Sequence, residues 1–370
     1  MQRFKNILVV VDRKHNSQTF IDRAVDLART NQSRLSVITF LEKLAFEKPE
    51  SAGTEPGDLR EPGINIIEKI PSEVPERITP ETIPVADLSR DSSDTVSQKV
   101  GAPISRELHM VIQEKISETA NVYLEKIIES IQKSGVQASG KVLDGTPFLE
   151  IIREVLRNGH DLVMIAAEGE GGFRQMLFGS TTMHLMRKCP CPVWVFKPDQ
   201  SKHITRILAA IDPTPDDETR NALNTKIMEL ATSLARSEGS ELIVIHAWTA
   251  YGETMLSGRA GVPQHQIDEM VRETRTAHQR RLVTFLRKYP LENLRHRVYL
   301  LKGNPGRLIP ALAKALNIEL IVMGTVCRTG VAGLLIGNTS EQVLNQVNCS
   351  VLTIKPEGFI TPVRLDEQRE

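Results

Sequence analysis

The sequence predicts an α/β protein made of two doubly wound parallel sheets in tandem, five strands in each. Three observations carry this. The chain has 370 residues, more than one hydrophobic core usually serves, so about two domains are expected. Branched, nearly continuous apolar runs alternate with amphipathic stretches. That is the pattern of parallel strands buried on both faces and joined by right-handed crossovers. The chain also repeats itself. One ungapped register lays Gly145-Thr146-Pro147 on Gly303-Asn304-Pro305, Asp161-Leu162-Val163-Met164 on Glu319-Leu320-Ile321-Val322, and Gly179 on Gly337. It continues with Thr181 on Thr339, Cys191 on Cys349 and Lys197-Pro198 on Lys355-Pro356. Glycines falling on glycines in one register mark a duplicated unit.

In chain order, Ile7-Leu8-Val9-Val10-Val11 gives a first strand over 6–12, ending in Asp12. A helix over 18–31 leads to a second strand over 34–40. A helix over 107–134, with Val122, Ile127, Ile128 and Ile131 on one stripe, precedes a third strand over 137–143. Gly145-x-Pro147 turns into a helix over 147–158 with proline at its first position, where the missing N–H costs nothing. A fourth strand over 161–167, a helix over 180–188 and a fifth strand over 192–197 complete the first half. The second half repeats this with strands at 205–211, 241–247, 296–301, 318–323 and 350–354; its start, Arg206-Ile207-Leu208-Ala209-Ala210-Ile211-Asp212, pairs with the first strand. The predicted domains are 1–198 and 203–357, divided in the polar stretch Asp199-Gln200-Ser201-Lys202, with a tail over 358–370. Only the first half carries an insertion, residues 47–105, with eight prolines and few aromatics. It buries too little apolar surface to offset chain entropy and is expected to be a mostly disordered loop.

Composition narrows the function. Forty-six Lys and Arg balance forty-six Asp and Glu, so the cationic footprint that a nucleic-acid backbone or an anionic membrane requires is missing. The four cysteines include no zinc-type CxxC pair and suit a reducing cytosol. The apolar run near the N-terminus is too short for a signal sequence or a membrane span. A soluble cytoplasmic protein is the expectation.

Ligands of open α/β sheets bind beyond the carboxyl ends of the strands. Asp12 and Asp212 end the first strands there. A glycine-containing loop follows each fourth strand, and each next helix opens on glycine and a small polar residue, Gly179-Ser180-Thr181 and Gly337-Asn338-Thr339. Glycine admits an anion close to backbone N–H groups, and a helix start adds unpaired donors; the same side chains also serve simply as caps. The dinucleotide fingerprint GxGxxG, the P-loop, GxSxG and HExxH are absent from the places where they would act.

This arrangement resembles the universal stress protein family, whose nucleotide-binding members carry Gly-x2-Gly-x9-Gly-Ser/Thr after the fourth strand. Ala166-Ala167-Glu168-Gly169, nine residues and Gly179-Ser180 match except at Ala166. Gly324-Thr325-Val326-Cys327, nine residues and Gly337-Asn338 match in spacing but depart at Cys327 and Asn338. The stretches Met183 to Trp194 and Gly324 to Gly330, with the closing Ile354-Lys355-Pro356 and Thr361-Pro362-Val363, look like the tandem E-type proteins. The resemblance implies strand order 3-2-1-4-5 in each half, and an intrachain pseudo-dimer joined through the final strands, Val193–Phe196 and Val351–Ile354. It also implies a stress-response role that includes resistance to DNA-damaging agents. By the same likeness ATP, with Mg or Mn, would lie with adenosine near the first-strand Asp and the end of the second strand, and with its phosphates on the glycine loop. Asp12, Ala166, Gly169, Gly179, Ser180 and Thr181 are then the candidate binding residues of the first half. Asp212, Gly324, Gly337, Asn338 and Thr339 are those of the second. No metal-ligand set and no catalytic residue is read from the sequence.

The first half ranks as the better site, because Cys327 replaces a glycine in the second and because Asp216 and Asp217 would repel phosphate there. Cys189 and Cys191 are expected to point to opposite faces of an extended chain and to serve core packing. His246 reads as a packed histidine, and Arg272 to Arg281 as a solvated helix face. The leading expectation is a nucleotide-responsive regulator that acts on a protein partner or by self-association, including homodimerisation. A scaffold that holds no nucleotide comes second and a slow ATPase last.

Overall fold

The computed structural model describes residues 4–12, 17–41, 106–167, 178–197, 203–213, 217–259, 262–325 and 337–365. The chain divides into two compact units, Met1–Glu42 with Ile112–Glu370, and Lys43–Val111. The second unit, and with it the predicted insertion over 47–105, lies outside the described residues apart from the stretch that begins a helix at Arg106.

The elements of the first half are β1 (Asn6–Val10), α1 (Gln18–Asn31), β2 (Arg34–Phe40), α2 (Arg106–Lys133), β3 (Ala138–Leu143), α3 (Pro147–Asn158), β4 (Leu162–Ala166), α4 (Ser180–Lys188) and β5 (Val193–Phe196). The second half comprises β6 (Arg206–Ala210), α5 (Glu218–Glu238), β7 (Glu241–Trp248), α6 (Glu253–Arg259), α7 (Gln264–Leu286), β8 (His296–Lys302), α8 (Pro305–Ala315), β9 (Leu320–Gly324), α9 (Asn338–Leu344) and β10 (Ser350–Ile354). Helix α6, between β7 and α7, has no counterpart in the sequence expectation.

Both halves have the order 3-2-1-4-5, and they form one continuous sheet rather than two: β3-β2-β1-β4-β5-β10-β9-β6-β7-β8. Pairing is parallel within each half. The halves join through an antiparallel pair, with Val351 opposite Val195, Leu352 opposite Trp194 and Thr353 opposite Val193. The apolar runs explain which strands are central: every residue of β1, β5 and β10 is buried. The outer strands β3 and β8 are largely exposed and carry Lys141 and Arg297 respectively, charges that discourage edge-to-edge association.

Alternation along each strand builds a core on each face. Ile7, Val9, Trp194 and Leu352 pack with Phe20 and Ala24 of α1, Leu124 of α2, Met228 of α5 and Leu282 of α7. Leu8, Val10, Val195 and Val351 pack with Ile151 of α3, Leu185 of α4, Ile309 of α8 and Val343 of α9. Local chemistry sets the helix starts. Ser17 caps α1 through Phe20 N–H (3.3 Å), and Asp217 caps α5 through Arg220 N–H (2.8 Å).

Both Gly-x-Pro turns open helices as expected, with glycines at φ +128° (Gly145) and +142° (Gly303). Gly303 N–H also bonds the Trp248 carbonyl (2.8 Å), and a β-carbon added there would lie 3.2 Å from Leu308 Cδ1. Gly303→Ala is therefore expected to destabilise the protein by about 1–2 kcal/mol, from the positive φ alone. A lowered urea midpoint at unchanged slope would show it.

Candidate functional site

The ends of β6, β7 and β9 and the start of α9 surround a cavity of about 840 Å3, within the range of small-molecule sites. Five residues singled out in the second half line it together: Asp212, Gly324, Gly337, Asn338 and Thr339. In the first half, Ala166 ends β4, Gly179 is the N-cap of α4 and Ser180 and Thr181 form its first turn, while Asp12 follows β1, the strand paired with β4. Gly169, like Asp216 and Cys327, lies outside the described residues. The ranking of the first half above the second rested on Cys327, Asp216 and Asp217, of which only Asp217 is described. The cavity found among the described residues lies in the second half.

Asp212 is held rigidly. Its N–H donates to Asn224 Oδ1 (3.0 Å), and Asn224 Nδ2 donates back to its carbonyl (2.8 Å). Arg220 sits 3.3 Å from the carboxylates of both Asp212 and Asp217. One guanidinium thus offsets part of the charge of two acids, and Asp217, which does not line the cavity, is a helix cap rather than a free repulsive charge.

His246 is fully buried, as expected, but it belongs to a polar chain that sequence reasoning did not find. Its Nδ1 lies 3.2 Å from the Ile211 carbonyl and its Nε2 2.8 Å from His278 Nδ1. A carbonyl only accepts, which assigns the proton to His246 Nδ1; His246 Nε2 then accepts from His278 Nδ1–H. Burial lowers both pKa values, and for His278 the neighbouring His246 adds to the effect. Both rings are thus neutral at pH 7. His278 stacks on Trp248, with centroids 5.6 Å apart and planes 27° apart, and both line the cavity. Arg281 lines it too, although it is exposed and the helix around it reads as solvated. No spacing rule connects His246 at a strand end with His278 in a helix far along the chain; only the fold does.

A β-carbon on Gly324 would approach Leu223 Cδ2 to 2.6 Å, a contact with the end of a flexible side chain on α5 that a rotamer change of Leu223 would relieve. The Gly337 N–H donates to the Thr325 carbonyl (3.1 Å) and is unavailable to an anion. The first helical bond of α9 runs from Glu341 N–H to the Gly337 carbonyl (2.9 Å), so the amides of Asn338, Thr339 and Ser340 precede it as helix-start donors. In all, an acid clamped beside an arginine, a second arginine, an aromatic wall and small residues at a helix start surround one opening. That set suits a ligand with both a planar and an anionic part. Among the described residues no group of three or more His, Cys, Asp or Glu is placed to hold a metal, and no helix is long and apolar enough to cross a membrane.

Comparison with known proteins agrees with the fold. The model of the "Universal stress protein family" matches residues 3–70, 85–197 and 203–355. The chain is similar to Universal stress protein E of Escherichia coli K12, 33% identical over 257 residues, covering 69% of this chain and 77% of that protein. It is similar to Universal stress protein E of Photorhabdus laumondii at 24% identity, covering 98% and 99%. Among solved structures, a universal stress protein from Archaeoglobus fulgidus superposes with a TM-score of 0.55 at 18% identity, over 95% of this chain and 98% of the other.

Proposed function

This chain belongs to the universal stress protein family, and on that premise we propose that it is a cytoplasmic stress-response protein whose second-half cavity binds an adenine nucleotide, ATP with Mg or Mn. Occupancy is relayed to a protein partner or to self-association, without chemistry on the ligand, and the response extends to survival of DNA damage. The cavity carries this reading. Its Trp248–His278 wall offers a stacking face at the end of the second strand of that half, where adenosine would lie. Asn338, Thr339 and Arg281 offer donors and positive charge for phosphates. The Arg220 pairing reduces the repulsion that Asp212 and Asp217 would otherwise impose. Ligand binding changes the protein only insofar as the ligand prefers one of two states of it.

The test is calorimetry with Mg-ATP, together with analysis of nucleotide released from the denatured purified protein. Asn338→Glu puts a carboxylate at an exposed helix start, where the dipole favours it and the fold is kept, but against the phosphates. It should weaken binding by about tenfold or more, which is roughly 1.4 kcal/mol, with the unliganded melting temperature unchanged. No heat and no released nucleotide would leave the scaffold reading. One observation favours that alternative: the Gly337 N–H is already bonded to the Thr325 carbonyl.

A further inference from the structure

The two thiols expected on opposite faces are in contact. Cys189 Sγ and Cys191 Sγ lie 3.6 Å apart. The expectation assumed extended backbone throughout; Cys189, the C-cap of α4 with its N–H bonded to the Leu185 carbonyl (2.9 Å), is extended, but the chain bends at Pro190 and Cys191 before β5 begins. The bend brings both side chains to one side.

We propose that Cys189 and Cys191 form a reversible dithiol–disulfide site, closed by oxidants of the hydroperoxide class. The sulfurs need to approach by only about 1.5 Å to reach bonding distance. Both residues are buried, Cys189 fully and Cys191 with 9% exposure, so an oxidant reaches the pair from the Cys191 side. The Cys191 thiolate attacks one peroxide oxygen: an S–O bond forms, the O–O bond breaks and the other oxygen leaves as alcohol, or as water from hydrogen peroxide. Cys189 sulfur then displaces the sulfenic oxygen: S–S forms, S–O breaks, and the oxygen leaves as water with the thiol proton. Two thiols lose two electrons in total and the peroxide gains them. The hydrogen bond to Cys189, and then burial, push the Cys191 thiol up, which keeps thiolate scarce and makes closure slow at neutral pH and faster as pH rises.

The repeat supplies an internal control. Cys349 occupies the place of Cys191 in the second half, but Val347 stands where Cys189 would be. Cys349 is buried, and burial pushes its thiol up to about 12. It has the position without the partner. The pair also sits at a junction, because Lys355 Nζ bonds the Met186 carbonyl in the last turn of α4 and Thr325 Oγ1 beside the cavity (2.5 Å each).

The test treats the reduced full-length protein with hydrogen peroxide, quenches it with acid and measures intact mass and peptides. Loss of two hydrogens within the peptide that contains Cys189-Pro190-Cys191, reversed by dithiothreitol, is the expected result. Cys191→Ser should abolish it and Cys349→Ser should leave it intact. Four alkylatable thiols after treatment, a sulfinic acid on one cysteine of the pair, or a disulfide involving Cys327 or Cys349 would overturn the proposal. The measurement on the unmodified chain decides even if a variant folds poorly.

Discussion

Arg23→Ala is expected to lower stability by about 2–3 kcal/mol, below the usual cost of breaking a fully buried ion pair because Glu238 keeps some solvent contact. Arg23 in α1 is 3% exposed and holds Glu238, at the end of α5, at 2.5 Å. Its guanidinium lies 5.7 Å from the ring of Trp194, a fully buried residue of the strand where the halves join. Removing it strands the Glu238 carboxylate and opens a gap over Trp194 together. Because the pair spans the two halves, loss is expected across the whole unfolding transition rather than in one half. A double-mutant cycle separates the two costs. Arg23→Met with Glu238→Gln should recover most of the loss, since an apolar stem over Trp194 needs no counter-charge. If Arg23→Ala shifts the urea midpoint by less than a surface substitution does, the pair is not what ties α1 to α5.

Lys355→Met is expected to change how stability depends on pH. Lys355 lies just beyond β10, 6% exposed, and donates to the Met186 carbonyl and Thr325 Oγ1. Burial lowers its pKa from 10.5 to about 7, with Cys189 acting weakly the other way. Between those values the unfolded chain binds one proton more than the native state, so stability rises with pH through this window. The full span corresponds to an upper bound of about 5 kcal/mol, and the two hydrogen bonds that also suit the ammonium reduce it to roughly 2–4 kcal/mol. Buried thiols act in the opposite sense: Cys349, pushed up to about 12, retains a proton that the unfolded chain loses, which costs stability above pH 9 or so. The informative quantity is therefore the difference between variant and wild type in urea unfolding at pH 7 and pH 9.5. Wild type should gain stability relative to Lys355→Met over that interval. Parallel pH profiles would show that Lys355 stays charged in the native state.

The repeat that shows in the sequence carries much of this behaviour, but not symmetrically. Lys197 matches Lys355 in register, yet Ala167 stands where Thr325 would offer a hydroxyl. Lys197 turns instead to the Asn348 carbonyl (3.4 Å). Leu230 likewise takes the place of Arg23, one residue before an alanine in each helix. Duplication is legible in glycines and strand ends; divergence is legible only once partners are known.

Strands, crossovers and the Gly-x-Pro helix starts could be read from the chain because each depends on residues within a few positions: an apolar run, a cap, a fixed proline φ. The clustering of Asp212, Gly324 and Gly337 at one opening was also readable, since strand order places the ends of β6 and β9 side by side. Contacts set by chain bends and helix packing were not. The bend at Pro190 joined two thiols that extended geometry would part. The packing of α7 on β7 made a cavity wall of His278 and Arg281, and α1 with α5 enclosed an ion pair between distant residues. Such contacts depend on where whole elements come to rest, and local periodicity carries no record of that.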